Sequence, residues 1–288
     1  MGLLVFVTVL WAFSFSLIGE FLAGQVDSDF AVLTRVVLGA LVFLPLTRWR
    51  GVPGGLKLGV LATGMLQFGI TYLCLYRSFG YLTVPEVLLF TIFTPLYVTL
   101  IDDAFYRRFS PVALMAAAVA TLGAGIIRYD GLSPDFITGF LLLQVANFTF
   151  AAGQVGYKHT MMRFPLDLPA YRTFGYFFFG ALIIALPSFI VFGDASRLPA
   201  TALQWGILVW LGLAASGLGL FLWNRGACHV DAGTLAIMNN MLVPAGLLVN
   251  LLIWNRDADL VRLAIGGGVI GLSLWLNARF HPRARIAV

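Results

Sequence analysis

Residues 57–77 read KLGVLATGMLQFGITYLCLYR, and residues 205–225 read WGILVWLGLAASGLGLFLWNR. Each is about one bilayer thickness of apolar chain, since roughly 20 helical residues cross the hydrocarbon core. Aligned end to end, Gly64 falls on Gly212, Leu66–Gly69 on Ala214–Gly217 and Arg77 on Arg225, an offset of 148. Downstream, Thr94-Pro95 falls on Val243-Pro244 with the register slipped by one, and Ala118-Val119 falls on Gly268-Val269. One matched glycine or proline means little, but a nearly constant offset across three helices indicates a duplicated chain. Residues 1–135 then form one copy and residues 136–288 the other.

The rest of the chain reads the same way. Of 288 residues, 60% are hydrophobic and 11% charged, and the mean hydropathy is +0.93. Soluble domains hold about 25% charged residues, so lipid must be the solvent here. Lipid offers no hydrogen bonds, which leaves helices or a closed barrel. The long runs, without strict alternation, exclude the barrel. Ten spans are expected near 3–23, 30–47, 57–76, 84–101, 110–127, 137–157, 170–192, 202–223, 232–254 and 262–279. They are called helices 1 to 10 below. The fold class is therefore an all-α membrane protein of ten transmembrane helices. An odd number of helices per copy turns the second copy upside down, an inverted five-plus-five repeat typical of alternating-access carriers. The first run lacks a basic leader and is read as a membrane helix rather than a cleaved signal.

Lys and Arg set the orientation. With the N-terminus inside, twelve of the 18 basic residues fall on the cytoplasmic side and six near the outer face. Both termini are thus expected in the cytoplasm and the protein in the inner membrane.

Polar residues inside spans mark candidate sites, because they are costly in lipid and face a cavity or another helix. Helix 6 carries Gln144, Asn147, Gln154 and Lys158 on one face. The face reads either as a substrate-facing stripe ending in a cation or as interhelical hydrogen bonding. Helix 3 presents Gln67, Thr71, Cys74 and Ser78, with Tyr72 and Tyr76 beside them; helix 1 presents Trp11, Ser14, Phe15 and Ile18. Asn239 and Asn240 sit within helix 9, where one should face a cavity and the other pack. Pro95 and Pro244 break helices 4 and 9 and form hinges, expose carbonyls to a ligand or merely kink the packing. Arg35 is read as pairing with an outer carboxylate or reaching the interface. Glu20 and Glu86 read as interfacial, and Glu86, one residue after Pro85, reads equally as a carboxylate in the first turn of helix 4, near its free N–H groups. Small residues on helix 5 (Ala116, Ala120, Ala124) and helix 10 (Ala264, Gly268; Gly267, Gly271) should allow close backbone approach.

The run Leu10-Trp11-Ala12-Phe13-Ser14-Phe15 resembles the Trp-small-x-x-Phe opening of EamA-type carriers of the drug/metabolite transporter superfamily. Arg35 to Pro45 around Gly39 is similar to that family's second helix, and Thr94-Pro95 and Pro244 lie in segments similar to its fourth and ninth. The overall pattern is nearest the YddG-type aromatic amino acid exporters. Asn147-Phe148 stands where that pattern has Trp. The resemblance implies a basket of ten helices around one cavity, with helices 5 and 10 packed together, and it raises Trp11 and Phe15 as cavity residues.

The expected substrate-binding set is Trp11, Phe15, Gln67, Thr71, Tyr76, Asn147, Gln154, Lys158 and Asn239. The expected function is export of aromatic or other apolar amino acids. The alternative is export of other small organic solutes or drugs, possibly coupled to protons. An enzyme is not expected: His159, His229 and His281 lie near helix ends, and no catalytic or metal motif occurs. A channel would need a filter loop or charge rings, and neither is seen. No cofactor, metal or nucleic acid is implied; the partners are an amino acid substrate and the lipid bilayer, and the protein is expected to be a monomer. No acid lies at the centre of a span, which favours a facilitator over a proton-coupled carrier.

Overall fold

A computed structural model describes residues 1–82, 84–107, 109–128, 136–253 and 260–280, and these residues build ten helical rods and no strand. Helix 1 is Gly2–Leu17 continued by a π-helical turn, Ile18–Leu22; helix 2 is Ser28–Phe43. Helix 3 joins Gly54–Gly64, a π-helical Met65–Ile70 and Thr71–Ser78. Helix 4 joins Val84–Phe90, a tight turn Thr91–Phe93 and Thr94–Tyr106. Helices 5, 6 and 7 are Pro111–Arg128, Phe136–Arg163 and Tyr171–Phe192. Helix 8 joins Ala202–Trp210, a π-helical Leu211–Leu218 and Gly219–Ala227. Helix 9 is Ala232–Asn240 with Leu242–Ile253, and helix 10 is Leu260–Phe280. Among the described residues, five rods are individually long and apolar enough to cross a membrane: Gly2–Leu22, Gly54–Ser78, Glu86–Tyr106, Tyr171–Phe192 and Ala202–Ala227. The loops bearing Asp130, Asp135, Arg256, Asp257 and Asp259, and the tail bearing His281, Arg283 and Arg285, lie outside the described residues.

Local chemistry fixes where rods begin. The Asp27 carboxylate accepts the Phe30 N–H at 2.8 Å and opens helix 2; the Asp231 carboxylate does the same with Thr234 in helix 9. Such caps satisfy donors that a helix start leaves open. Thr201 and Gln204 form a reciprocal capping box on helix 8. Gly24 and Gly51, with φ of 74° and 70°, take turns that a side chain would strain. Loop pairing shows how the rods alternate. Asp27 N–H donates to Arg197 O, so the turns after helices 1 and 7 share one end; Lys158 Nζ donates to Val230 O, so the end of helix 6 meets the turn after helix 8.

Helices 5 and 10 pack extensively on each other, while helix 7 lies across helices 2 and 3 and helix 6 across 3 and 4. The expected small-residue contact of helix 10 is not made at Gly268 or Gly271: both are exposed, and an added Cβ there meets nothing. The side chains of Ala116, Ala120 and Ala124 lie outside those described. Close approach occurs instead between helices 3 and 7, where a methyl at Gly64 would strike the Phe177 carbonyl and one at Gly180 the Leu61 carbonyl. The outer surface is apolar, with Leu58, Leu122, Ile190, Val191 and Phe192 all largely exposed. A soluble monomer rarely leaves so broad an apolar face uncovered.

Gly64→Ala should lower the midpoint of thermal unfolding in detergent by several degrees, because overpacking costs about 1–3 kcal/mol and about 2–4 °C follows each kcal/mol at this size. Gly206→Ala, with open space around it, should not; equal midpoints for the two variants would refute the close crossing.

Candidate substrate cavity

The site is built on a broken helix. Pro95 has no N–H to offer the Thr91 carbonyl one turn earlier, so the α-helical ladder of helix 4 gives way to a tighter 3₁₀ turn over Thr91–Phe93. The released carbonyls find side-chain donors. Phe90 O accepts from Asn147 Nδ2 at 2.7 Å and from Gln144 Nε2 at 3.4 Å. Thr91 O accepts from Thr94 Oγ1 at 2.8 Å. Ile92 O accepts from Thr121 Oγ1 at 3.0 Å and Asn240 Nδ2 at 3.4 Å. The proline thus does not bare its carbonyls to a ligand: helices 5, 6 and 9 satisfy them.

Beside this break lies a cavity of about 790 Å³ of empty space, mouth included. Helix 1 lines it with Thr8, Trp11, Ser14, Phe15 and Ile18, helix 2 with Arg35, and helix 3 with Thr71, Tyr72 and Leu75. Helix 4 adds Thr91 and Thr94; helix 6 adds Leu143, Ala146, Asn147 and Phe150; helices 8 and 9 add Trp223, Met238, Asn239 and Leu242. Trp11 packs on Trp223 with ring centroids 4.9 Å apart and meets the edge of Phe150 at 5.9 Å. The indole N–H of Trp11 donates to Ala215 O and that of Trp223 to Gln154 Oε1, each at 2.8 Å. With both indole donors engaged in the protein, the two residues can offer a ligand only their rings.

Five residues of the expected set therefore line one space: Trp11, Phe15, Thr71, Asn147 and Asn239. Four do not. Tyr76 stands behind Arg35, its hydroxyl accepting from Nη1 at 2.9 Å. Gln154 stands behind Trp223 and Asn239 and binds both. Gln67 is fully buried where helix 3 crosses Gly153, with neither side-chain amide atom hydrogen-bonded. Lys158 Nζ donates to Val230 O at 2.7 Å. The physical reason is length: Asn147 and Lys158 lie eleven residues apart on a straight helix, about 16 Å, too far for one small cavity. Asn239 faces the cavity and Asn240 packs against helix 4, dividing the adjacent pair between the two roles.

Arg35, read from the sequence as pairing with an outer carboxylate or reaching the interface, lines the cavity instead. It lies seven residues past the start of helix 2, about 10 Å along the rod, and is 1% exposed. Its Nε donates to Ser216 Oγ and its Nη1 to Tyr76 Oη, both at 2.9 Å, and its guanidinium lies 4.6 Å from the Tyr72 ring centroid. No carboxylate pairs with it among the described residues: the outer acid Asp29 is taken by Arg77 at 2.8 Å and by Ser188. A guanidinium stays charged in proteins. Placing one in a membrane helix costs roughly 2.5–3.5 kcal/mol even on the milder scale. A cation–π contact returns about 0.5–2, so neutral neighbours offset the charge without cancelling it. The signal was legible: an Arg in an apolar run with Ala31 and Gly39 four residues to either side has no partner on its own helix. Among the described residues, the lining contains no acid and no histidine. Glu86, expected at the interface, is buried at 6% exposed; Glu20 is exposed.

The family described as "EamA-like transporter family" matches residues 1–129. A Pseudomonas aeruginosa protein named "Probable biotin transporter" is 66% identical over 277 residues, covering 96% of this chain and 97% of that one. The "Biotin transporter" of Escherichia coli (strain K12) is 51% identical over 288 residues, covering 99% and 95%. The "Biotin transporter" of Salmonella typhimurium is 50% identical over 286 residues. A solved structure titled "Crystal structure of protein" superposes at a TM-score of 0.74 over 95% of both chains at 17% identity, a likeness of fold alone. This chain belongs to the EamA-like transporter family. It is a multi-pass membrane transporter of a small molecule, not an enzyme. None of these relatives is named for amino acids, so the amino acid reading has no support among them.

Asn147→Leu removes the 2.7 Å donor from a buried carbonyl, a loss of about 1–3 kcal/mol. It should lower the unfolding midpoint in detergent by several degrees more than Phe148→Leu, whose side chain is half exposed on the apolar surface; matching midpoints would show that the break does not need this amide.

Proposed function

We propose that this chain carries biotin across the inner membrane, by alternating access around the cavity of helices 1, 2, 3, 4, 6, 8 and 9. The observation that carries the reading is 66% identity over 96% of the chain to a protein named for biotin transport. The cavity is compatible with that substrate. Biotin has a ureido ring with two N–H donors and one carbonyl, a thioether ring, and an aliphatic tail ending in a carboxylate. Asn147 and Asn239 supply amides suited to a ureido group, and Trp11, Phe150 and Trp223 supply faces for the thioether ring. An amino acid fits less well, because nothing in the lining offers a carboxylate to an α-ammonium.

Ten spans in an inverted five-plus-five arrangement remain the architecture we favour. Its support is the matching build of helices 3 and 8, each an α-helix with a π-helical centre at Met65–Ile70 and Leu211–Leu218. Helices 4 and 9, broken before Pro95 and Pro244, add to it. Cytoplasmic termini rest on the Lys/Arg asymmetry alone. Cysteine labelling at Ser28 and near Val288 of the intact chain should show opposite sides; labelling from the same side would refute ten spans.

Proteoliposomes should take up labelled biotin saturably and faster when preloaded with unlabelled biotin, and phenylalanine or tryptophan should not compete. Competition by these amino acids with no effect of biotin would reverse the substrate assignment. With no acid or histidine among the described lining residues, we propose a facilitator. An imposed pH gradient should then drive no accumulation, and uphill accumulation would establish proton coupling.

A further inference from the structure

We propose that Arg35 is the specificity-determining residue that receives the substrate's carboxylate. The proposal rests on the biotin reading and deepens it. Arg35 lines the cavity yet is buried at 1% exposure among neutral groups, Ser216 Oγ, Tyr76 Oη and the Tyr72 ring. Its Nε and Nη1 each donate one N–H, to Ser216 and Tyr76, two of the five donors that a guanidinium carries. Among the described residues no acid pairs with it, and the ion pair of Arg77 with Asp29 leaves it out. A charge held two turns inside a membrane span without a counter-ion is the electrostatic signature of an anion site. Ser216 and Tyr76 grip two edges of the guanidinium, from helices 8 and 3, and fix its plane; a planar fork so held can present N–H donors that these two bonds do not use to a carboxylate lying in that plane. The bound acid would supply the negative charge that the fold omits, and an uncharged analogue would leave the guanidinium as it is.

The test measures binding to the intact chain in detergent by calorimetry, with biotin and with biotinamide, in which a neutral carboxamide replaces the carboxylate. Wild type should bind the acid at least about tenfold more tightly than the amide, the discrimination expected when a hydrogen bond to a charged group is lost. Arg35→Gln should weaken biotin by about tenfold or more and leave biotinamide within about threefold, so that the preference disappears. Arg35→Lys, which keeps the charge and loses the fork, should retain part of it. Equal affinity of wild type for acid and amide would overturn the proposal with no variant needed, so a misfolded Arg35→Gln cannot conceal the answer. An unchanged acid-to-amide ratio in Arg35→Gln would overturn it too. Binding of biotin without preference for the acid sinks only the Arg35 assignment, whereas wild type that binds neither compound removes the biotin reading and this proposal with it.

Discussion

Every backbone carbonyl that a membrane protein frees from its helix must be satisfied by the protein itself, because lipid supplies no donor. Much of this structure follows from that constraint acting on one proline. Pro95 opens helix 4, and the carbonyls of Phe90, Thr91 and Ile92 call in side chains from helices 4, 5, 6 and 9. Those donors tie the neighbouring rods to the break and set where Asn147 sits in the cavity wall. The same logic holds in the π-helical segments. Thr71 Oγ1 reaches back five residues to Leu66 O, and Ala215 O takes the Trp11 indole. Irregular backbone is concentrated around the cavity, where enclosing protein can meet its demands.

This explains why polar residues divided as they did between site and scaffold. Asn147 and Asn239 do both jobs: each has an amide donor fixed on a neighbouring carbonyl while the residue lines the cavity. Gln154 and Asn240 act only behind the wall. Gln154 accepts from Trp223 and donates to Asn239, so its amide orients two lining residues without reaching the space itself. Removing such a group disturbs the wall as surely as changing the wall.

The positions of the rods were largely legible in the sequence, because roughly 20-residue apolar runs between charged or glycine-rich breaks leave little choice. Trp11, Phe15, Thr71, Asn147 and Asn239 were legible as cavity residues because polar or amphipathic groups on one helix face must turn inward. Lys158 and Gln67 were misplaced because helical periodicity gives a face but not a depth: Lys158 shares a face with Asn147 and lies three turns away from it. Arg35 reads from the sequence as pairing with an outer carboxylate or reaching the interface, and the nearest acid outward on its own helix is Asp29. The fold gives Asp29 to Arg77 instead, a pairing across 48 residues that no local pattern reveals. Trp223 and Phe150, two of the five aromatic residues described in the wall, were lost among 25 phenylalanines and 7 tryptophans.

The choice of neutral partners for Arg35 has an energetic logic. A carboxylate beside it would have stabilised the empty carrier most, since breaking a buried ion pair costs roughly 3–5 kcal/mol. An incoming anion would then have had to displace that partner or share the charge with it, and affinity would have suffered in proportion. Hydroxyls and aromatic faces hold the guanidinium in place and shield it enough for folding, yet compete weakly with an anion. Helices 2, 3 and 8 each contribute one part of this arrangement, Arg35, Tyr76 with Tyr72, and Ser216. Any relative movement of those rods must therefore change how the charge is held, and with it the strength of the grip on an anion. A carrier needs that property, tight holding in one state and release in another, and here three neutral contacts offer it with no acid or histidine among the described lining residues.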